Sequence, residues 1–126
     1  MLFRSHRPRM DWALAEARNS ADAPSARVFR GTKDILARRA ATHALHGGVP
    51  VRVVASGSVA IFAFQRLAPT GTLLGLFNFT EHWQSVSESW VRAQGVTALH
   101  DALSDTRVAP HQGRIVLPPY ARVWLT

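Results

Sequence analysis

The chain has 126 residues, of which 47% are apolar and 18% charged, and this length and composition are typical of a single globular domain. It contains no cysteine, which excludes a disulfide framework, a zinc ribbon, an iron–sulfur centre and a cysteine nucleophile. The formal net charge is +7, and the excess is concentrated in residues 1–48, which hold nine basic and four acidic groups.

The sequence predicts neither a membrane span nor a secretory signal. Its longest uncharged stretch, residues 67–80, is only 14 residues long and is broken by proline and glycine. The first ten residues carry three arginines and no apolar run, so we expect a cytoplasmic protein.

Two helices are predicted at the front of the chain. Residues 11–19 are rich in helix formers and make a short first helix. Ser25 is expected to cap a second helix that begins near Ala26 and ends before Gly47, with Pro50 preventing its continuation. One face of this second helix carries a stripe at spacings of three and four residues: Val28, Thr32, Ile35 and Arg39, flanked by Phe29 and Leu36.

After Pro50 the apolar residues come in short runs rich in β-branched and aromatic side chains, which is typical of strands. Seven strands are predicted, at residues 51–55, 60–66, 72–79, 84–91, 97–103, 114–117 and 121–125. Seven short strands at this spacing predict an antiparallel β-sandwich. We therefore divide the chain into a helical segment, residues 1–48, and an all-β domain, residues 49–126.

The first three predicted strands form two hairpins, with turns at 56–58 and 69–71. Alternation puts Phe62 and Phe64 on one face, and Ile61 and Ala63 on the other. Because both faces carry apolar residues, we expect both sides of these strands to be covered.

Three motifs of the β half stand out: LGLFNFTE at 74–81, DALSD at 101–105 and LPPYARVWL at 117–125. Together they resemble the carboxy-terminal domain of the α-amylase superfamily, glycoside hydrolase family thirteen. The first is similar to a central strand that ends in an Asn-Phe-Ser-Glu turn, and the last to a final strand that follows a Pro-Tyr corner. The middle motif resembles an Asp-Leu-Leu-Ser-Gly turn, with Asp105 in place of the usual glycine.

Residues 51–64 also fit the first hairpin of that domain. At the front of the chain, HRPRMDW at 6–12, followed by the helix 27–41, is similar to amylosucrases and related sucrose hydrolases. In those enzymes this stretch closes the catalytic (β/α)8 barrel. The resemblance therefore implies a mainly β protein, an amylase-type C-terminal β-sandwich, preceded by two α-helices left from the end of a barrel.

The resemblance also implies what this chain does. Retaining glycosidases need two carboxyl groups about 5–5.5 Å apart, and in this family they sit on barrel strands that precede everything present here. We therefore expect no enzyme activity, cofactor or metal, but a noncatalytic stabilising domain, a fragment of an amylosucrase-like enzyme that processes sucrose or α-glucan. Its partner would be a catalytic barrel chain, or a second copy bound through an exposed apolar face that includes Val28, Ile35 and Leu36.

Direct inspection of reactive residue types finds no catalytic or metal site. All eight carboxylates are predicted to lie on helix surfaces or in turns, with Glu81 and Asp101 the nearest to a pair and none flanked like a buried acid. His43 and His46 lie three residues apart, but two ligands do not make a metal site. Ser58 is predicted to be a turn serine rather than a nucleophile.

Of the four tryptophans, Trp83 and Trp90 are the candidate glycan contacts because they flank a polar run, whereas Trp124 is expected in a core or interface. This leaves two alternative functions open. A free-standing carbohydrate-binding module, with weak affinity for α-glucan, would have Trp83 or Trp90 facing solvent. A nucleic-acid-binding protein, which the lack of a basic-aromatic motif disfavours, would gather its arginines on one surface: Arg4, Arg7, Arg9, Arg38 and Arg39.

Overall fold

The computed structural model describes residues 9–20 and 22–126, and the chain divides into one unit up to Ala37 and another from Arg38 to Thr126. Helix α1 spans Trp12–Glu16 and continues as a 3₁₀ turn, Ala17–Asn19. The Asp11 side chain caps α1 by accepting from the backbone N–H groups of Ala13 and Leu14.

Helix α2 spans Pro24–Ala41. It begins one residue before Ser25, so the prediction that Ser25 caps it is wrong. Proline suits the first helical position because its fixed φ is already helical and its missing N–H has no partner there in any case. None of the helices in residues 9–20 and 22–126 combines the length and apolar character that crossing a bilayer requires.

After a 3₁₀ turn at His43–Leu45, the described part of the chain contains eight strands and one short helix. They are β1 (Val51–Val53), β2 (Ile61–Ala68), β3 (Gly71–Asn78), β4 (Gln84–Ser87), α3 (Glu88–Ala93), β5 (His100–Asp101), β6 (Thr106–Arg107), β7 (Arg114–Leu117) and β8 (Arg122–Leu125). All pairings are antiparallel. One sheet has the order β1-β2-β3-β8-β5-β6 and the other pairs β4 with β7. The predicted antiparallel sandwich preceded by two helices is confirmed, whereas the domain division at residue 48 stays a prediction.

The two sheets share one apolar core. Strand alternation points the buried residues of both sheets inward, and the core consists of Ile61, Ala63, Leu74, Leu76, Val86, Val91, Val96, Leu99, Ile115, Leu117 and Leu125. The predicted alternation in β2 is confirmed, since Ile61 and Ala63 are buried inward while Phe62 is exposed on the opposite face.

Two predicted strands are wrong in part. Residues 84–91 form a strand only as far as Ser87, whose hydroxyl accepts from the Trp90 N–H and so starts α3. The ion pair between Glu88 and Arg92, with N and O 2.9 Å apart, then holds the helical turn. Of residues 97–103, only β5 is extended, and it turns back into β6 through Asp105, which adopts a φ of 59°.

Two buried polar side chains hold the turns of the sandwich, and both belong to the motifs that carry the family resemblance. Asn78 donates from Nδ2 to the carbonyl oxygens of His82 and Pro118, both at 2.8 Å. Its Oδ1 accepts from the Thr80 N–H at 3.0 Å and from the Thr80 hydroxyl at 2.8 Å. Asn78 thereby fixes the exit of β3 to the corner that precedes β8.

The sequence predicts that no carboxylate is flanked like a buried acid. This prediction is wrong for Asp101, which is only 4% exposed. Its Oδ1 accepts from the N–H groups of Leu103 at 3.1 Å and Trp124 at 2.8 Å, and its Oδ2 accepts from the N–H and hydroxyl of Ser104. These donors satisfy the carboxylate without a cation, and they tie the β5–β6 turn to β8.

Candidate docking face and tryptophan groove

The outward side of the six-stranded sheet carries four aromatic rings, Phe62, Phe64, Phe77 and Phe79, which we call the phenylalanine face. Phe62 pairs with Phe77 across β2 and β3. Neighbouring ring centroids lie between 5.9 and 6.3 Å apart, in the range of favourable aromatic contacts. Phe62 is 42% exposed and Phe79 is exposed further. The sequence prediction that both sides of these strands are covered is therefore wrong at this end of the sheet.

The phenylalanine face continues onto the edge strand. Val53 in β1 pairs with Phe64, and both Val51 and Val53 are exposed. The other end of the same sheet surface is closed, because Leu73 and Trp124 are buried there. Arg66 helps to close it by donating from Nη2 to the carbonyl oxygens of His46 at 2.8 Å and Val49 at 2.6 Å.

Gly75 makes the flat packing of the phenylalanine face possible. A Cβ atom built on Gly75 would overlap the Phe64 ring, lying 2.7 Å from its Cζ atom. The missing side chain lets the Phe64 ring lie directly over the backbone of β3.

We expect Gly75→Ala to destabilise the sandwich by about 1–3 kcal/mol, because the Phe64 ring has to leave its place over β3. Urea unfolding monitored by tryptophan fluorescence measures the change. Gly48→Ala is the control, since a Cβ there meets nothing within 4 Å. Equal stability of the two variants would contradict this role of Gly75.

The apolar face expected on the second helix is also observed. Val28, Phe29 and Leu36 are exposed, whereas Ile35 is half-buried. These residues belong to the unit that ends at Ala37. They therefore form a second apolar surface, which belongs to that unit.

The two candidate glycan residues line one groove of about 500 Å³ beside the two-stranded sheet, which we call the tryptophan groove. Its volume falls within the range of about 300–1,000 Å³ common for ligand sites. Trp83 is 67% exposed, and Trp90 is half-buried with its ring packed against the core. The remaining lining is mostly polar: Ser56, Gly57, Ser58, Gln84, Ser85, Val86, Ser87 and Arg114.

Arg114 was missed by the sequence analysis, and among the residues that the structure describes it is the only charged one that lines the tryptophan groove. It pairs with Ser87 across the small sheet. Its Nε donates to the Ser85 hydroxyl at 2.7 Å and its Nη2 to the Ser85 carbonyl oxygen at 3.0 Å. Alternation along β7 places Arg114 and Val116 outward and Ile115 and Leu117 inward, and that periodicity was the one available signal.

Another groove, of about 570 Å³, lies beside β5 and β6, and two of the basic residues that line it, Arg92 and His100, are engaged within the fold. Arg92 donates to Glu88 and to the Thr97 carbonyl oxygen, each at 2.9 Å. His100 lies 3.2 Å from the Asp105 carboxylate, which also contacts Arg38 at 3.2 Å.

The remaining predicted site residues are not gathered into a reactive centre. His43 and His46 contact each other edge to face, with ring centroids 5.0 Å apart, but the described residues contain no group of three or more metal-ligating side chains. Ser58 lies in the turn between β1 and β2, as predicted. Arg4 and Arg7, which the nucleic-acid alternative requires, lie outside the described residues, so that alternative stays a prediction.

Comparison with known families gives a match over the β half of the chain. The model of the family described as "Amylosucrase, C-terminal domain" matches residues 51–126. The match begins at the first residue of β1 and includes β8, so it covers the whole two-sheet sandwich. A comparison with curated proteins found no match.

Proposed function

Because this chain belongs to the amylosucrase C-terminal domain family, we propose that its sandwich is a noncatalytic domain that packs against the catalytic barrel of an amylosucrase-like enzyme and stabilises it. The observation that carries the proposal is the phenylalanine face. It is a contiguous aromatic surface on the large sheet, in which Phe62 and Phe79 are exposed and Phe64 and Phe77 are half-buried.

Exposed apolar surfaces of this kind are uncommon on soluble monomers and usually mark an interface. Burying them against a partner is favourable by about 25 cal/mol for each Å² of apolar area. The rings are also held in mutual contact before binding, so little side-chain entropy is lost when a partner covers them. A barrel helix with an apolar outer stripe would complement the phenylalanine face.

The carboxylates support a role without catalysis. Asp101, the one carboxylate buried among the described residues, is occupied by four hydrogen bonds within its turn. Glu81 is exposed, and the only partner it contacts in the described part of the chain is His82 at 4.0 Å. Neither acid therefore has the environment of a general acid or a nucleophile.

The proposal is tested by mixing this chain with an amylosucrase-type barrel from which the C-terminal domain has been removed. We expect a stable complex on gel filtration, and Phe62→Ser should weaken it at least about tenfold, as loss of an interface hot spot does. Val116→Ser is the matched control, because Val116 is 39% exposed and Phe62 42%, but Val116 lies on the solvent side of the other sheet.

Three results would contradict the proposal. One is failure of the wild-type chain to bind any such barrel while it remains folded. Another is equal weakening by Phe62→Ser and Val116→Ser. Formation of a symmetric dimer through the phenylalanine face would instead identify a second copy as the partner and would also overturn the barrel assignment.

A further inference from the structure

We infer that the outer edge of β1 binds an extended segment of a partner protein, in which an acidic residue lies between two apolar residues. The inference rests on the backbone and side chains of three successive residues, Val51, Arg52 and Val53. It does not depend on docking of the phenylalanine face to a barrel.

The first step of the argument is the position of β1 in the large sheet. It is the terminal strand of the order β1-β2-β3-β8-β5-β6, and within residues 9–20 and 22–126 it pairs with β2 alone. All three of its residues are exposed, Val51 by 63% and Val53 by 67%. The edge of β1 that faces away from β2 is therefore open to another strand.

The second step identifies the backbone groups on this edge. Val54, which directly follows β1, donates its N–H to the Ala63 carbonyl oxygen at 3.0 Å. Because hydrogen-bonded and non-hydrogen-bonded pairs alternate along an antiparallel ladder, Arg52 exchanges hydrogen bonds with β2, whereas Val51 and Val53 do not. The N–H and C=O groups of Val51 and Val53 therefore point outward and offer four hydrogen bonds to an added strand.

The third step is the apolar character of this edge. Natural sheets protect open edges with charged side chains, proline or bulges, and here Pro50 ends the edge on one side. Within β1, however, the residues with outward backbone groups are both valines, which favour strand pairing. Their side chains lie on the same side as the phenylalanine face, because Val53 pairs with Phe64. The partner residues opposite the two valines should therefore be apolar.

The fourth step is the charge between the valines. Alternation places the Arg52 side chain on the opposite side of β1, where its Nη2 donates to the Gln65 Oε1 at 2.6 Å. The other N–H donors of the guanidinium can bond to a carboxylate on the partner residue opposite Arg52, which gives a cross-strand ion pair. The net charge of +7 on the chain also attracts an acidic segment.

The same charge disfavours a second copy of the chain as the occupant. Antiparallel pairing of two β1 strands about their midpoint would place the two Arg52 side chains directly opposite each other, and like charges in that position are destabilising. Two chains that each carry a net charge of +7 also repel one another. Charge complementarity therefore favours an acidic segment of another protein.

Titration of the full chain with a fluorescently labelled peptide, SGTVEVTGS, tests the inference. This peptide carries the apolar–acidic–apolar pattern at its centre, and we expect saturable binding. Replacing its glutamate with lysine should weaken binding about fivefold or more, because the cross-strand ion pair becomes a repulsion.

A variant of the edge and a matched control locate the site. Val53→Lys should weaken peptide binding about tenfold, because it removes an apolar cross-strand contact and puts a charge on the edge. Val59→Lys is the control, since Val59 is also an exposed valine and the change adds the same charge, but Val59 lies between β1 and β2 in no strand. Thermal unfolding of both variants shows whether each remains folded.

Amide hydrogen exchange of the wild-type chain gives a second readout that needs no variant. With saturating peptide, the amides of Val51 and Val53 should exchange at least about tenfold more slowly, because they gain hydrogen bonds. The Arg52 amide is already bonded to β2, so its exchange should change little.

Five outcomes would overturn the inference. Three concern the peptide: no binding at millimolar concentration, equal binding of the glutamate and lysine peptides, or equal losses in Val53→Lys and Val59→Lys. The fourth is slowed exchange at Arg52 without slowed exchange at Val51 and Val53. The fifth is dimerisation of the chain through β1, which would identify a second copy as the occupant. None of these outcomes bears on docking to a barrel, since that association is measured separately with Phe62→Ser.

Discussion

Replacing Asp101 with alanine is expected to cost the sandwich at least about 3 kcal/mol, a large part of the total stability of a domain of this size. The variant removes a charged acceptor that serves the backbone N–H groups of Leu103, Ser104 and Trp124 at once. The hydrogen bond to the Trp124 N–H is buried, so this donor loses its partner without regaining water, whereas the bonds to Leu103 and Ser104 are partly buried. The β5–β6 turn and β8 should therefore loosen together.

Urea unfolding of Asp101→Ala, followed by fluorescence and circular dichroism, measures this loss. Asp105→Asn is the control, because Asp105 lies in the same turn but has a side chain that is 62% exposed, and its two ion pairs are on the surface. Asparagine also tolerates the positive φ at this position, so we expect a loss of at most about 1 kcal/mol. A larger loss in Asp105→Asn than in Asp101→Ala would refute the structural role of Asp101.

The second large effect is expected at Asn78, which is 2% exposed. Asn78→Ala should cost about 2–4 kcal/mol, because it leaves the carbonyl oxygens of His82 and Pro118 and the N–H of Thr80 without their partner. Asn78→Asp keeps the size and the acceptor but cannot donate to those two carbonyl oxygens. We expect it to lose nearly as much stability as the alanine variant.

Chemical denaturation gives the free energy of unfolding for both Asn78 variants, and hydrogen exchange of residues 79–83 reports the local effect. Glu81→Gln serves as the comparison, since Glu81 lies in the same turn and is exposed. Wild-type stability in Asn78→Asp would show that the donated hydrogen bonds contribute little, contrary to the role argued for this side chain.

The features of the fold that depend on neighbouring residues were predictable from the sequence. The two hairpins follow from turns with glycine between apolar runs, and the alternation of β2 correctly separated Ile61 from Phe62. The motif at 74–81 also pointed to the position of Asn78. Alternation in sequence does not reveal what covers a face, however, and for this reason the exposure of Phe62 and Phe79 was not predicted.

The features that depend on distant residues were not predictable. Ser87 ends a strand and caps a helix at once, and its polar side chain fits either the expected extended run or the observed cap. The burial of Asp101 requires the Trp124 N–H, 23 residues further along the chain. The tryptophan groove similarly needs β7 to bring Arg114 beside Ser85, although Trp83 and Trp90 were identified from their polar surroundings.

The position of β8 has a consequence for the order of events during synthesis. This strand, residues 122–125, lies between β3 and β5 in the large sheet, and both Asp101 and the corner held by Asn78 are anchored beside it. While only the first five strands of the sandwich have been synthesised, one edge of β3 has no neighbouring strand. The nascent chain therefore needs protection from aggregation until Leu125 has left the exit tunnel.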